Sequence, residues 1–256
     1  MIIMHNRWNL SGKKALVTGG TRGIGLAIVQ EFISLDCEVL FVARNSDEID
    51  KVLSETNDSK LSGLQADIGN DNGRNNLLSA VNKKWSVLDI LVNNAGMNIR
   101  KHTIDYTDTE YDKIMEINLF AAWALCRLFY PLLTGSDQGN IINIASVAGQ
   151  TSVRSGVVYG MGKSAMIHMT KYLAVEWAGE GIRVNCVAPW YINTSLTENV
   201  LSDELYRNEV VSRTPLGKTG EAADVAAAAA FLCMPAAAYI TGQTLCVDGG
   251  FTALGF

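Results

Sequence analysis

The chain has 256 residues, of which 48% are hydrophobic, only 18% are charged and 23 are glycine. With a mean hydropathy of +0.12 it carries enough apolar mass for a sizeable core, which excludes disorder, collagen and coiled coil. The formal net charge of −5, with no basic block anywhere, argues against nucleic acid or an anionic membrane as the main partner.

Residues 1–10 hold no apolar run long enough for a signal-peptide core. The longest apolar stretch, 226–240, is broken by Pro235 and too short to span a bilayer. A soluble protein with no membrane partner is expected. Five widely spaced cysteines, Cys37, Cys126, Cys186, Cys233 and Cys246, form no CxxC. They indicate neither a disulfide framework nor a zinc ribbon and read as small core residues in a reducing cytoplasm. His5, His102 and His168 stand at no metal-ligand spacing, so no protein-built metal site is expected.

In chain order, a first apolar strand at 15–18 runs into Thr18-Gly19-Gly20-Thr21-Arg22-Gly23-Ile24-Gly25 and then into a helical pattern over 24–34. Glycines suit a backbone that turns with positive φ, approaches a pyrophosphate and packs helix on strand. The helix start presents free N–H groups to phosphate. The spacing is TGxxxGxG and not the commoner GxGxxG. A second strand at 38–42 leads to Ala43, Arg44 and Asn45, with no carboxylate until Asp47. Where an acid would accept from ribose hydroxyls, Arg44 offers a guanidinium fork to a 2′-phosphate, and Arg22 can join it. The expected cofactor is NADP(H), not NAD(H).

A helix over 47–55, a strand over 61–66, a helix over 73–85 and a strand over 88–93 follow. A long helical pattern over 108–133 then embeds Asn118 in an apolar run, where a buried amide needs a partner. The fifth strand, 140–145, ends at Ser146. Open parallel sheets bind ligands at such strand ends, and a hydroxyl there can donate to a developing oxyanion. A helix over 156–179 carries Tyr159 and Lys163, four apart and so on one face. An ammonium beneath a phenol favours phenolate, lowering the tyrosine's pKa towards proton exchange with a carbonyl or alcohol oxygen. A strand at 183–188, a helix over 195–212, an alanine-rich helix over 222–233 suited to close packing, and a strand at 244–247 complete the chain. Near-continuous apolar strands alternating with longer helices predict a single α/β domain of Rossmann type over 1–256. Its sheet is doubly wound, parallel and seven-stranded, with helices on both faces and right-handed crossovers.

Together these motifs resemble the short-chain dehydrogenase/reductase family over essentially the whole chain. Asn93-Asn94-Ala95-Gly96 is similar to its NNAG motif and Asp67 to its adenine-binding acid. Tyr239-Ile240-Thr241-Gly242-Gln243 and Val247-Asp248-Gly249-Gly250 are similar to its C-terminal signatures. The resemblance implies a catalytic tetrad of Asn118, Ser146, Tyr159 and Lys163. In it Tyr159 is the acid/base, Lys163 lowers its pKa and holds the nicotinamide ribose, Ser146 orients the carbonyl, and Asn118 supports a relay water. Cofactor contacts are implied for Gly19, Thr21, Arg22, Gly23, Ile24 and Gly25, for Arg44 and Asn45, and for Asp67 and Ile68. Asn94, Ala95 and Gly96 would line the cofactor cleft, and Pro189, Ile192 and Thr194 would meet the carboxamide.

Trp190 stands where the family usually has glycine, which alters the local turn and the shape of the pocket. The substrate pocket is expected from Ser146, Val147, Val153, Tyr159, Trp190, Tyr191 and Leu196, under a small lid over 190–215. Asn98-Ile99-Arg100-Lys101, Asp105-Tyr106-Thr107 and residues 188–192 are most similar to tropinone-reductase-like members. The expected activity is NADPH-dependent reduction of a small cyclic or aliphatic ketone to a secondary alcohol, with hydride from nicotinamide and the proton from Tyr159. Two alternatives stand beside it. One is reduction of a 3-oxoacyl thioester on acyl carrier protein, with Arg100, Lys101 or Arg154 meeting the acidic carrier. The other is a non-catalytic cofactor-binding regulator. The family's habit of assembly implies a homo-oligomer, tetramer or dimer, with Ala121, Trp123, Ile167 and Leu173 available for the seam.

Overall fold

A computed structural model describes residues 7–255; the reading of residues 1–6, His5 included, lies outside them. The strands are β1 (Lys14–Thr18), β2 (Glu38–Ala43), β3 (Leu61–Gln65), β4 (Ile90–Asn93), β5 (Asn140–Ile144), β6 (Arg183–Pro189), β7 (Ile192–Asn193), β8 (Gly220–Glu221) and β9 (Thr244–Val247). Seven of them form one parallel sheet in the order β3-β2-β1-β4-β5-β6-β9, while β7 and β8 make a separate parallel pair. The helices are α1 (Gly23–Ser34), α2 (Ser46–Thr56), α3 (Asp71–Lys84), α4 (Asp108–Met115), α5 (Ala121–Leu133), α6 (Val157–Glu176), α7 (Glu198–Leu201), α8 (Glu204–Ser212) and α9 (Ala222–Cys233).

The two faces of the sheet explain the apolar strands. Ala15 and Val17 of β1 join one core with Val39 and Phe41 of β2, beneath α1, α2 and α9. Leu16, Leu40 and Val42 point the other way, into a core shared with Leu77 of α3, Phe129 of α5 and Leu173 of α6. Successive residues thus alternate faces, and both faces are dry. Phe32, Phe41 and Phe129 are wholly buried; truncating any of them to alanine should cost about 3–5 kcal/mol. The alanines of α9 pack directly on α1, with Ala226, Ala229 and Ala230 in the shared core.

Two predicted helices are interrupted. The run over 108–133 contains a π-helical turn, Glu116–Phe120, between α4 and α5. By length and composition this run could cross a membrane, but Ala121, Leu125, Cys126 and Phe129 are buried in the chain's own core. The run over 195–212 breaks before Asp203, whose carboxylate accepts from the Leu205 and Tyr206 amides at 3.0 and 3.2 Å and starts α8 afresh. The proposed seam residues also divide. Ala121, Ile167 and Leu173 face the core, whereas Trp123 is 38% exposed, its ring centre 5.2 Å from that of Phe120.

Because β4 returns to the opposite side of β1 from β2, the carboxyl ends of β1 and β4 lie at a topological switch point. Chains leave in opposite directions there and open a crevice.

Candidate functional site

A cleft of about 440 Å³ opens above that switch point. At one end is the glycine loop. Gly19 has φ +70°, in the left-handed region, and a Cβ on Gly25 would overlap the Gly19 carbonyl. The loop is tied to β4: Thr18 Oγ1 accepts from the Asn94 and Ala95 amides at 2.9 and 3.0 Å, and Asn94 Nδ2 donates to the Thr18 carbonyl at 2.8 Å. The N-cap of α1, Arg22, makes no side-chain capping bond, which leaves the helix's first N–H groups for an anion.

Arg22 and Arg44 are exposed at the cleft rim, and neither guanidinium has a partner among the described residues. A phosphate-bearing cofactor fits this end on two counts: a turn that only glycine permits, and two uncommitted cations. Asn45 caps α2 by accepting from the Asp47 amide at 2.9 Å while still lining the cleft. Asp67, Ile68 and Ala95 line it as well. The carboxylate absent from the end of β2 arrives one turn later. Glu48, in the first turn of α2, lines the cleft and accepts from Thr21 Oγ1 at 2.7 Å. No sequence spacing announces that contact, which depends on how α2 meets the loop.

At the other end stand the chemical groups. The π-helical turn sets Asn118, fully buried, against the irregular segment that follows β4. Its Nδ2 donates to the Met97 and Ile114 carbonyls at 2.8 and 2.9 Å, and its Oδ1 accepts from the Met97 amide at 3.2 Å. The turn is held from outside by Arg74, 4% exposed, which reaches the Ile68 carbonyl and Glu116 at 2.7 Å each and lies 5.1 Å from the Phe120 ring centre. Ser146 lies two residues past the end of β5 and accepts from the Ala148 amide at 3.1 Å. That cap begins a short 3-10 turn in which Val147 is buried. Val147 therefore does not line the cleft; the turn points it inwards. Val153, Leu196, Pro189, Ile192 and Thr194 do line it.

Tyr159 and Lys163 project from α6 into the same cleft. Lys163 Nζ donates to the Ile144 carbonyl at 2.8 Å and lies 5.7 Å from the Tyr159 ring centre. Burial pulls the Lys163 ammonium down to about 8. The expected lowering of the tyrosine is reversed: burial pushes the Tyr159 phenol above its ordinary range, opposed by a hydrogen bond with Ser146 and by the positive charge of Arg100. Lys163 is turned to a backbone carbonyl, and among the described residues no hydrogen bond joins it to the Tyr159 hydroxyl. Trp190, in place of a glycine, does not collapse the pocket. Its ring stacks on Phe251 at 3.7 Å between centres, meets Tyr191 edge-on, and donates from Nε1 to Thr214 at 3.2 Å. The Tyr191 and Tyr206 hydroxyls are hydrogen-bonded to each other, which ties the wall to α8. Sequence spacing gave no sign of Asn98, Ser155 or Thr197 in this wall, yet all three line it, and Asn98 Nδ2 donates to the Ser155 carbonyl at 2.8 Å.

A glycine-rich strand-helix turn facing a serine, a tyrosine and a lysine across a switch-point cleft defines a dinucleotide-binding α/β oxidoreductase. A family model described as enoyl-(acyl carrier protein) reductase matches residues 19–252, and the chain belongs to the short-chain dehydrogenase/reductase family. It is 47% identical over 98% of its length to 96% of a tropinone reductase homolog of Arabidopsis thaliana. It is 43% identical over 98% of its length to 94% of senescence-associated protein 13 of the same plant. Among solved structures it is similar to a gluconate 5-dehydrogenase of Burkholderia cenocepacia in complex with NADP and tartrate (TM-score 0.92, 28% identity, 97% of this chain and 98% of that one). It is also similar to RhlG of Pseudomonas aeruginosa in an active-site complex with NADP (TM-score 0.92, 31% identity, 97% and 99%).

Proposed function

We propose that this chain is an NADP(H)-dependent oxidoreductase that reduces a small ketone to a secondary alcohol. The observation that carries the reading is the meeting of Ser146, Tyr159, Lys163 and Asn118 in one cleft whose far rim offers two uncommitted arginines, Arg22 and Arg44. The glycine loop, the N-terminus of α1 and these arginines would hold the phosphates. Asp67 and Ile68 would hold the adenine end, and Asn94, Ala95, Gly96, Pro189, Ile192 and Thr194 the nicotinamide end. When bound, NADPH supplies the hydride.

Tyr159, kept protonated by burial, gives its proton to the carbonyl oxygen. Ser146 Oγ donates a hydrogen bond to the same oxygen and restrains its position. Lys163, held by Ile144, keeps a positive charge below the phenol and binds ribose hydroxyls. Asn118 keeps the π-helical turn and residue Met97 at fixed distance, and with them a water that relays protons to Lys163. The apolar wall of Val153, Trp190, Tyr191 and Leu196 accepts the body of the substrate, under a lid formed by residues 190–215.

The tropinone reductase homologs among its relatives and the NADP complexes among its structural neighbours support the reading. A 3-oxoacyl carrier protein as substrate has less support, because Lys101 and Arg154 are already paired with Glu110 and Glu209. A regulator without chemistry would have no use for the convergent tetrad. The reading includes a cytoplasmic location, in keeping with four buried free cysteines. It also includes a homo-oligomer, dimer or tetramer, formed through the exposed Trp123 and Phe120; a strict monomer in light scattering removes that element. The test is NADPH oxidation over a panel of tropinone, cyclic ketones, diketones and an acetoacetyl thioester, repeated with NADH. Consumption of NADPH by a small ketone supports the reading, and consumption with NADH alone or with no ketone refutes it.

A further inference from the structure

We propose that the substrate carries an anionic group, a carboxylate or its equivalent, and that Arg100 binds it. This deepens the ketone-reductase reading and rests on it. Of the cations at this end of the cleft, Lys101 is 2.5 Å from Glu110, and Arg154 is paired with Glu209, which also faces Arg213 at 3.5 Å. The Arg154 guanidinium is further committed over the Tyr206 ring, 5.3 Å from its centre. Arg100 alone has no ion-pair or hydrogen-bond partner among the described residues, and it lines the cleft. Tyr159 and Tyr191 both lie within its field.

The cleft's own carboxylates are far from this end. Glu48 and Asp67 follow β2 and β3 beside the glycine loop, and Glu48 is taken up by Thr21. The substrate half therefore presents Arg100 and Lys163 with no negative group to balance them. A substrate entering this space strips water from a guanidinium, and only an anion returns charge-assisted, bidentate hydrogen bonds for that loss. A cationic amino ketone meets two positive charges and is repelled, so the same residues reject as well as select. A neutral ketone has only the apolar wall and the hydrogen bonds of Ser146 and Tyr159 to its carbonyl oxygen.

The test compares a neutral ring ketone, cyclohexanone, with 3- and 4-oxocyclohexanecarboxylate and with the cationic ketone tropinone, by steady-state kcat/KM with NADPH. Wild type should prefer one of the keto acids over cyclohexanone by about tenfold to a hundredfold, chiefly through KM, and should disfavour tropinone. Added salt should narrow the preference. R100Q should bring the ratio of acid to neutral ketone near one, R100K should keep part of it, and R100E should invert it. K101Q, already paired at the surface, should leave the ratio as in wild type. Turnover of cyclohexanone with a wild-type ratio near one, or an undiminished ratio in R100Q, overturns the assignment of Arg100 and leaves the reductase reading standing. Absence of turnover with every ketone overturns both.

Discussion

The buried lysine at the centre of the site makes a prediction that needs no substrate. Lys163 is 3% exposed, and burial brings its ammonium from 10.5 down to about 8. Unfolding restores the ordinary value. Between about pH 8 and pH 10.5 the unfolded chain thus holds a proton that the folded chain has released, and stability rises with pH across that window. The burden is fully present below about 8 and gone above 10.5. At about 1.4 kcal/mol per pH unit the whole gap is worth about 3 kcal/mol, of which roughly 2–3 kcal/mol is recovered between about pH 7 and pH 10. Replacing the lysine by methionine, K163M, removes the titrating group and keeps much of the volume. Urea unfolding of both proteins, without cofactor, at pH values across that range isolates the effect, because every other group titrates in both. The wild-type free energy of unfolding should climb by about 2–3 kcal/mol relative to K163M as pH rises. Parallel curves would refute the burial of a charged lysine.

Two further perturbations test other parts of the site. Arg44→Asp removes the guanidinium that faces the cofactor rim and adds a ribose acceptor; kcat/KM with NADPH should fall about tenfold to a hundredfold and that with NADH should rise. An unchanged cofactor preference would dismiss Arg44. Arg74→Ala leaves the half-buried Glu116 and the Ile68 carbonyl unpaired at the π-helical turn and should cost about 1–3 kcal/mol in denaturant unfolding. A loss under about 1 kcal/mol would mean that Arg74 does not hold the turn.

The inner strands β1, β2, β4, β5 and β6 are legible because both faces are covered, whereas the edge strands β3 and β9 are only partly buried. A doubly buried strand has to be apolar throughout, and such runs stand out from helices that show water one side. The residues that follow these strands, Ser146 and Asn94 among them, are legible for the same reason, since the carboxyl ends meet at the switch point. What is not legible depends on partners distant in sequence. The π-helical turn at Glu116–Phe120 has a helix-forming sequence and is fixed by Arg74, some forty residues earlier. Glu48 enters the cleft only because α2 brings it to Thr21. Val147 looks like a pocket residue by its place after Ser146, yet the capped 3-10 turn buries it. The i to i+4 spacing correctly places Lys163 and Tyr159 on one face of α6. It cannot say that the ammonium would turn to the Ile144 carbonyl, or that burial would outweigh every opposing influence on the phenol.

Proton donation by Tyr159 is the step on which the proposed NADPH-dependent ketone reduction turns. Y159F keeps the ring and removes the hydroxyl, so the decisive measurement pairs NADPH oxidation with the best ketone of the panel and NADPH binding followed by cofactor fluorescence. With proton donation lost, kcat should fall by about a hundredfold to ten-thousandfold while the Kd for NADPH stays within about threefold of wild type. Ketone reduction by Y159F at the wild-type rate would contradict that role for Tyr159.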